Sequence, residues 1–452
     1  MRNRWILFAA LLLLAGPALA ADGDPRHVVM ISIDGLKPES YARADELGLK
    51  VPNLRRLMRE GVWAEGVVGV LPTVTYPSHT TLITGVLPNV HGIVSNHQVD
   101  PMGTGGNAWF WYADEIRVPT LVSAAAARRL RTATVSWPAS VGMGATYQVP
   151  EFMRPGSSAP TDLMLLAALS TPGIFEDAGA HRGRPFPPMS EWTDRERVDL
   201  ARFMIETYRP SLTLLHIFDT DEAEHSHGPG SPEAYAAIER ADGYVGEIRE
   251  SLKKAGIEST TLIAVVSDHG FLPITTTISP NTLLRQNGLI EVGSDGKVRS
   301  WRAYFHADGG STALYLRDAN DRQALERVTR LVKEKAADPG SGIADVLDAA
   351  RVRALGGSAP LVLNARQSFY FGNDVSGDWS RPSTMRGTHG YAPDRPEMHS
   401  SLILAGPFER RGSLGVVPMT RIAPSIAEFL GVQLGTPATE AIPLSAKPAA
   451  RN

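Results

Sequence analysis

The chain has 452 residues, of which 43% are hydrophobic and 21% charged, ordinary values for a globular protein long enough for one large domain with an insertion or for two domains. A formal net charge of −3 gives no long-range attraction for a nucleic-acid duplex or an anionic membrane, so an anionic substrate must be drawn by local charge. Cysteine is absent, which excludes disulfides and thiolate metal sites and leaves His and carboxylates as the metal-binding side chains.

In chain order, Arg2 and Arg4 precede a short apolar run from Trp5 to Leu14, and Ala18-Leu19-Ala20 fits a small-x-small cleavage site. This pattern predicts a signal peptide over 1–20 and an exported protein, periplasmic or secreted, with an uncleaved anchor as the rival reading. No later apolar run has membrane-spanning length. "HVVMISI" (27–33), "TATVSW" (132–137), "LTLLHIF" (212–218), "TLIAVVS" (261–267) and "SSLILAG" (400–406) read as strands covered on both faces. Between them, 51–61, 121–130, 195–208 and 231–256 carry helical patterns, the last with Ser231 as N-cap, Pro232 at N1 and Gly256 as its stop. Strands alternating with helices predict an α/β fold with a mainly parallel central sheet. Residues 272–385 break that rhythm and are read as an inserted subdomain, leaving 21–271 and 386–436 as the main domain. The tail, 437–452, is expected to be disordered.

The acids fall where such a sheet would use them. "HVVMISID" ends in Asp34, "TLIAVVSD" in Asp268, and "LTLLHIFDTD" supplies Asp219 and Asp221. In an open parallel sheet the strand C-termini share one edge, and ligands bind there. His269 follows Asp268, His225 lies four residues after Asp221, and His389 sits between Gly387 and Gly390. Mixed carboxylate and imidazole ligands favour Zn²⁺, with Mn²⁺ or another transition metal as the alternative, and Asp34, Asp268 and His269 would form one site and Asp221, His225 and His389 another. His227 rivals His225 and Asp219 rivals Asp221, since "DTDEAEHSH" is over-supplied; the i, i+4 spacing favours Asp221 with His225 modestly. His216, inside a strand, reads as a core residue, and His79 and His91 read as makers of structural hydrogen bonds.

"LPTVTYPSHTTLITG" (71–85) crowds hydroxyls around a predicted helix start, with Pro77 suited to N1 and Thr75 or Tyr76 at the entrance. A threonine there is an N-cap by default; beside a two-metal rim, coordination would lower its hydroxyl pKa and make it a nucleophile.

With "ISIDGL", "PTVTYPSHTTLITGVLPNVHGIVSN", "DEAEHSHGP", "VVSDHGF" and "GTHGY" in that order, the sequence resembles the nucleotide pyrophosphatase/phosphodiesterases (type I phosphodiesterases) of the alkaline phosphatase superfamily. The resemblance spans roughly residues 27–435, including a final helix in "VPMTRIAPSIAEFLGV". It implies an alkaline-phosphatase-like three-layer sandwich and hydrolysis of phosphodiester or phosphoanhydride bonds through a phospho-threonine on Thr75. It further implies one zinc on Asp34, Thr75, Asp268 and His269 and a second on Asp221, His225 and His389. Asn96 would bind a non-bridging phosphate oxygen, and Tyr76 would stack on a nucleobase of a small phosphorylated substrate. Glu224, Phe271, Ser78 and Ala392-Pro393 depart from the family's usual residues, and none of these departures removes a ligand. A phosphomonoesterase or a phosphonoacetate-type hydrolase is the alternative on the same site, for which Arg386 near His389 is the relevant cation. A binding protein that kept the fold and lost catalysis is a further alternative, against which all seven ligand and nucleophile positions are filled.

Overall fold

The computed structural model describes residues 26–105, 108–152, 161–436 and 439–444. The expected signal peptide over 1–20 lies outside the described residues, as do 445–452 of the tail. The elements that position the site are, in chain order, β1 (His27–Ile33), α1 (Thr75–Thr84), β2 (Thr132–Val135), β3 (Tyr147–Val149), α2 (Asp194–Tyr208), β4 (Leu212–Ile217), α3 (Asp219–His227), α4 (Pro232–Lys254), β5 (Thr261–Val266), β6 (Ala303–Asp308), β7 (Ser311–Leu316), β8 (Leu402–Ala405) and α5 (Ile422–Leu430).

An eight-stranded sheet runs β8–β5–β1–β4–β2–β3 and is extended beyond β8 by Val62–Trp63 and Gly412–Ser413. The strands from β5 to β3 are parallel, whereas β8 lies antiparallel to β5. The sheet is therefore mixed and mainly parallel. β1 is buried along its whole length, and its alternating side chains divide between two cores. Val29, Ile31 and Ile33 pack with Val198 and Leu200 of α2 and with Ile238 and Val245 of α4. Val28 and Met30 pack with Leu82 and Ile83 of α1 and with Ile422 and Ile426 of α5. Two helical layers around one sheet follow from that division.

Local signals account for the helix ends. Ser231 caps α4 by accepting from Ala234 N at 3.2 Å with Pro232 in the first turn, and Gly256 follows at φ +72°. Thr193 and Glu196 form a capping box at the start of α2.

Strands between 272 and 388 stay out of the central sheet. Leu272–Ile278 pairs with Ser368–Phe371, Ser380–Pro382 and Gly387–Thr388, while β6 and β7 form a four-stranded sheet with Leu361–Ala365 and Ile343–Asp348. The disorder expected over 437–452 does not hold for 439–444. There Ile442 is buried and its N–H donates to Ser425 Oγ of α5 at 2.8 Å, while Arg410 and Arg421 donate to the carbonyls of Pro443 and Glu440.

Candidate active site

Strand order assembles the site. β5, β1 and β4 are neighbours and parallel, so Asp268, Asp34 and the start of α3 emerge at the same sheet edge. Asp268 Oδ1 accepts from Gly35 N at 3.2 Å and His269 N at 3.0 Å. Its other oxygen is 3.1 Å from His269 Nε2, which is also 3.2 Å from Asp34 Oδ1.

The crowded "DTDEAEHSH" stretch divides by direction. Asp194 accepts from Phe218 N at 2.9 Å and Asp219 N at 3.0 Å, and Asp219 Oδ1 accepts in return from Asp194 N at 3.2 Å. The Asp219 carboxylate is thereby used on the first N–H of α2, while Asp194 caps α3. Asp221, two residues on, turns inward, its Oδ1 3.4 Å from His225 Nε2 and 3.6 Å from His389 Nε2. His225 Nδ1 donates to Gly387 O at 2.9 Å and His389 Nδ1 to Thr73 O at 3.0 Å. Each bond fixes the tautomer and leaves the Nε2 lone pair facing Asp221, the arrangement a metal-ligating imidazole adopts. His227 is exposed.

Two groups of donor atoms converge within 4.8 Å: Asp221, His225 and His389, and Asp34, Asp221 and His269. The second differs from the spacing-based set, with Asp221 in the place expected for Asp268, which lies against His269 beside it. Asp34 Oδ1, Asp221 Oδ1, Asp268 Oδ2 and His269 Nε2 are buried without a hydrogen-bond partner. Burial, reinforced by Asp268 and Asp221, pushes the Asp34 carboxyl well up. Burial likewise raises Asp268 to about 7 against the pull of His216, and burial with His389 and His225 holds His269 neutral. Crowded, desolvated carboxylates facing neutral imidazoles with unsatisfied atoms fit divalent cations.

α1 brings the hydroxyl segment to this edge. It starts one turn-half earlier than expected: Thr75 is its first residue and Pro77 its third, after an extended Val74. Every α1 residue from Tyr76 to Thr84 is buried, and Thr75 is not. The preceding chain is fastened to the His389 loop, Gly390 N donating to Thr73 O at 3.0 Å and Thr73 Oγ1 to Tyr391 O at 2.8 Å. Asn96 Oδ1 accepts from Tyr76 N at 2.8 Å, which ties the Asn96 side chain to the first turn of α1.

Tyr76 differs from its expected stacking role: its ring is 0% exposed, packs 5.3 Å from Trp109, and its hydroxyl donates to Glu151 Oε1 at 2.8 Å. His216 is buried as expected of a core residue, yet both ring nitrogens meet carboxylates, Nε2 with Asp34 Oδ2 at 3.0 Å and Nδ1 with Glu151 Oε2 at 2.9 Å. Burial alone would depress its pKa; Asp34 and Glu151 overcome that and hold it at about 10. His79 and His91 make the structural bonds expected, His79 to Thr75 O and Ser32 Oγ and His91 to Thr81 Oγ1. Glu151, Asp194, Ser95 and Asp308 surround the site without any sequence signal that singled them out.

The family model for type I phosphodiesterase / nucleotide pyrophosphatase matches residues 28–392. The chain belongs to this family. Among curated relatives, an uncharacterized pyrophosphatase/phosphodiesterase of Schizosaccharomyces pombe is 27% identical over 61% of this chain and 50% of its own length. Ectonucleotide pyrophosphatase/phosphodiesterase family member 1 of Rattus norvegicus is 26% identical over 56% of this chain and 25% of its own length. The chain thus spans a quarter to a half of these relatives. Among solved structures, an inactive form of murine ectonucleotide pyrophosphatase/phosphodiesterase 5 in complex with AMP superposes with a TM-score of 0.64 at 18% identity, covering 92% of this chain and 98% of that one. The human counterpart gives 0.63 at 19% identity, covering 92% and 97%. The fold is therefore alkaline-phosphatase-like, and no helix among the described residues is long and apolar enough to cross a membrane.

Proposed function

We propose that this member of the family is a metal-dependent phosphodiesterase and nucleotide pyrophosphatase acting on small phosphorylated substrates. The observation that carries the reading is the cluster of buried, partnerless oxygen and nitrogen atoms on Asp34, Asp221, Asp268 and His269, to which His79 links Thr75, the one α1 residue left accessible, by lying 2.8 Å from Thr75 O and 3.6 Å from Asp268 Oδ2. Asp34, Asp268 and His269, with Thr75, would hold one divalent cation, and Asp221, His225 and His389 a second, with Asp221 close to both. Zinc suits this donor set. Bound there, the two ions would supply Lewis-acid neutralisation of phosphoryl charge and make a neighbouring hydroxyl more acidic.

The chain's own residues divide the remaining work. Thr75 Oγ attacks phosphorus, forming a phospho-threonine as the bond to the leaving group breaks; water then cleaves that ester and restores the hydroxyl. Asn96, its oxygen committed to Tyr76 N, offers its amide nitrogen to a non-bridging phosphate oxygen. His225 and His389 are kept in one tautomer by Gly387 and Thr73 carbonyls. We also propose export, by the signal-peptide pattern at the N-terminus, to the periplasm or outside the cell.

Thr75→Ala is expected to lower turnover of a p-nitrophenyl nucleotide diester by about 10³-fold or more while zinc content by elemental analysis stays at the wild-type level. A variant retaining activity within tenfold of wild type would remove Thr75 as nucleophile. Faster wild-type turnover of p-nitrophenyl phosphate than of the diester would favour the monoesterase alternative.

A further inference from the structure

The β6–β7 hairpin reaches from its own sheet into the site. Its turn, Asp308-Gly309-Gly310-Ser311, has Gly309 at φ +71° and pairs Asp308 with Ser311. On one side it locks to the segment carrying His389: Gly310 N donates to His389 O at 2.7 Å. A Cβ at Gly309 would strike the His389 carbonyl, one at Gly310 the Tyr391 ring, and one at Gly390 the Asp308 carbonyl, so glycine at all three permits the close approach. On the other side Asp308 Oδ1 accepts from Ser95 Oγ at 2.6 Å.

Ser95 is fully committed. Its one hydroxyl proton goes to Asp308, so His306 Nε2, 3.1 Å away, must donate to the same oxygen, and His97 N donates to it as well at 3.2 Å. Ser95 is fully buried and Asp308 nearly so. The bonds therefore grip the chain immediately before and after Asn96. The orientation Ser-His-Asp is wrong for a nucleophile, because the imidazole donates to the hydroxyl instead of accepting from it.

We propose that Asp308, with His306, is a positioning residue for the phosphate-binding step: through Ser95 it fixes the Asn96 side chain, and the hairpin acts as a strut that sets Asn96 against the His389 side of the site. The proposal rests on the reading of Asn96 given above. It assigns the 272–385 segment a part in aligning the substrate, exerted through Ser95 and Asn96.

The test is a double-mutant cycle on the metal-loaded enzyme with a p-nitrophenyl nucleotide diester. Asp308→Ala is expected to lower kcat about 30-fold with KM within about twofold, but to cost less than about threefold in an Asn96→Ala background. Asp308→Asn, which keeps an acceptor for Ser95, is expected to restore most of the rate. Hydrogen exchange should quicken for the amides of 95–98 in Asp308→Ala and stay unchanged in β1. Should Asp308→Ala not fold, Ser95→Ala removes the same bond from the other side. Equal losses in both backgrounds, or unaltered exchange at 95–98, would overturn the proposal while leaving Asn96 intact. A silent Asn96→Ala would instead reject the role of Asn96, and this inference with it.

Discussion

Glu151 governs Asp34 at one remove. His216 bridges the two carboxylates with one nitrogen each, and the Tyr76 hydroxyl binds the other Glu151 oxygen, so the residue after the proposed nucleophile is tied to a proposed metal ligand. Glu151→Gln keeps the shape and removes one of the two charges that stabilise the buried imidazolium. The fold is expected to lose about 3 kcal/mol in urea unfolding, because breaking a buried pair leaves its partner uncompensated. Zinc affinity, measured by competition with a chromophoric chelator, is expected to fall about tenfold, since hydrogen bonds to a ligating carboxylate orient it. An unchanged affinity would show that Asp34 is held without this chain of bonds. His216 lies in the interior of β4, as its apolar neighbours in sequence predict. Its partner lies 65 residues away in a loop after β3, where no periodicity marks a carboxylate.

At the scale of elements, the sequence pattern locates α1 and the place of Thr75 at its entrance but sets the first helical position two residues late. The missing N–H of Pro77 suits it to N1, yet it sits at the third position, equally free of an intrahelical donor duty, and Asn96 satisfies the Tyr76 N–H that the earlier start leaves open. The capping group lies 20 residues downstream and so carries no local signature. A second tie on α1 yields a pH prediction. Thr81 Oγ1 gives its proton to Val86 O, so His91 Nε2 donates to Thr81 while its Nδ1 accepts from Ile93 N. The ring is neutral, and burial lowers its pKa to about 3 against a weak opposing bond to the backbone of Pro77. Between about pH 6.5 and 3 the unfolded chain then binds a proton that the folded one does not, so this group's stabilisation is complete above the window and is lost as pH falls through it. His91→Gln can replace both bonds without titrating. Urea unfolding at pH 4, 5 and 6, in chelator to suppress proton competition at metal ligands, is expected to show a stability slope shallower by about 1 kcal/mol per pH unit in the variant. Parallel slopes would mean that His91 is protonated in the fold.

At the scale of the whole molecule, the convergence of Asp34, Asp268 and Asp221 was legible because strand C-termini in a parallel sheet share an edge, and β5, β1 and β4 prove to be neighbours. The antiparallel setting of β8 was not legible, since a buried apolar strand reads the same in either direction. Nor was the return of the β6–β7 turn to the His389 segment, a contact between parts of the chain with no shared pattern. The same convergence has a cost in the metal-free protein: three desolvated carboxylates from adjacent strands repel one another, with the Asp34 and Asp268 carboxyls both pushed up. Cations that bind the folded site and not the unfolded chain must therefore raise global stability, by about 4 kcal/mol per site at a thousandfold excess over Kd. With two sites, chelation is expected to lower Tm on the order of 10 °C, and zinc to restore it. Asp221→Ala takes away the carboxylate nearest both donor groups, so its Tm is expected to respond to zinc by less than half the wild-type shift. A wild-type Tm indifferent to chelator and zinc alike would mean that these atoms, though gathered at one sheet edge, do not hold metal in the folded protein.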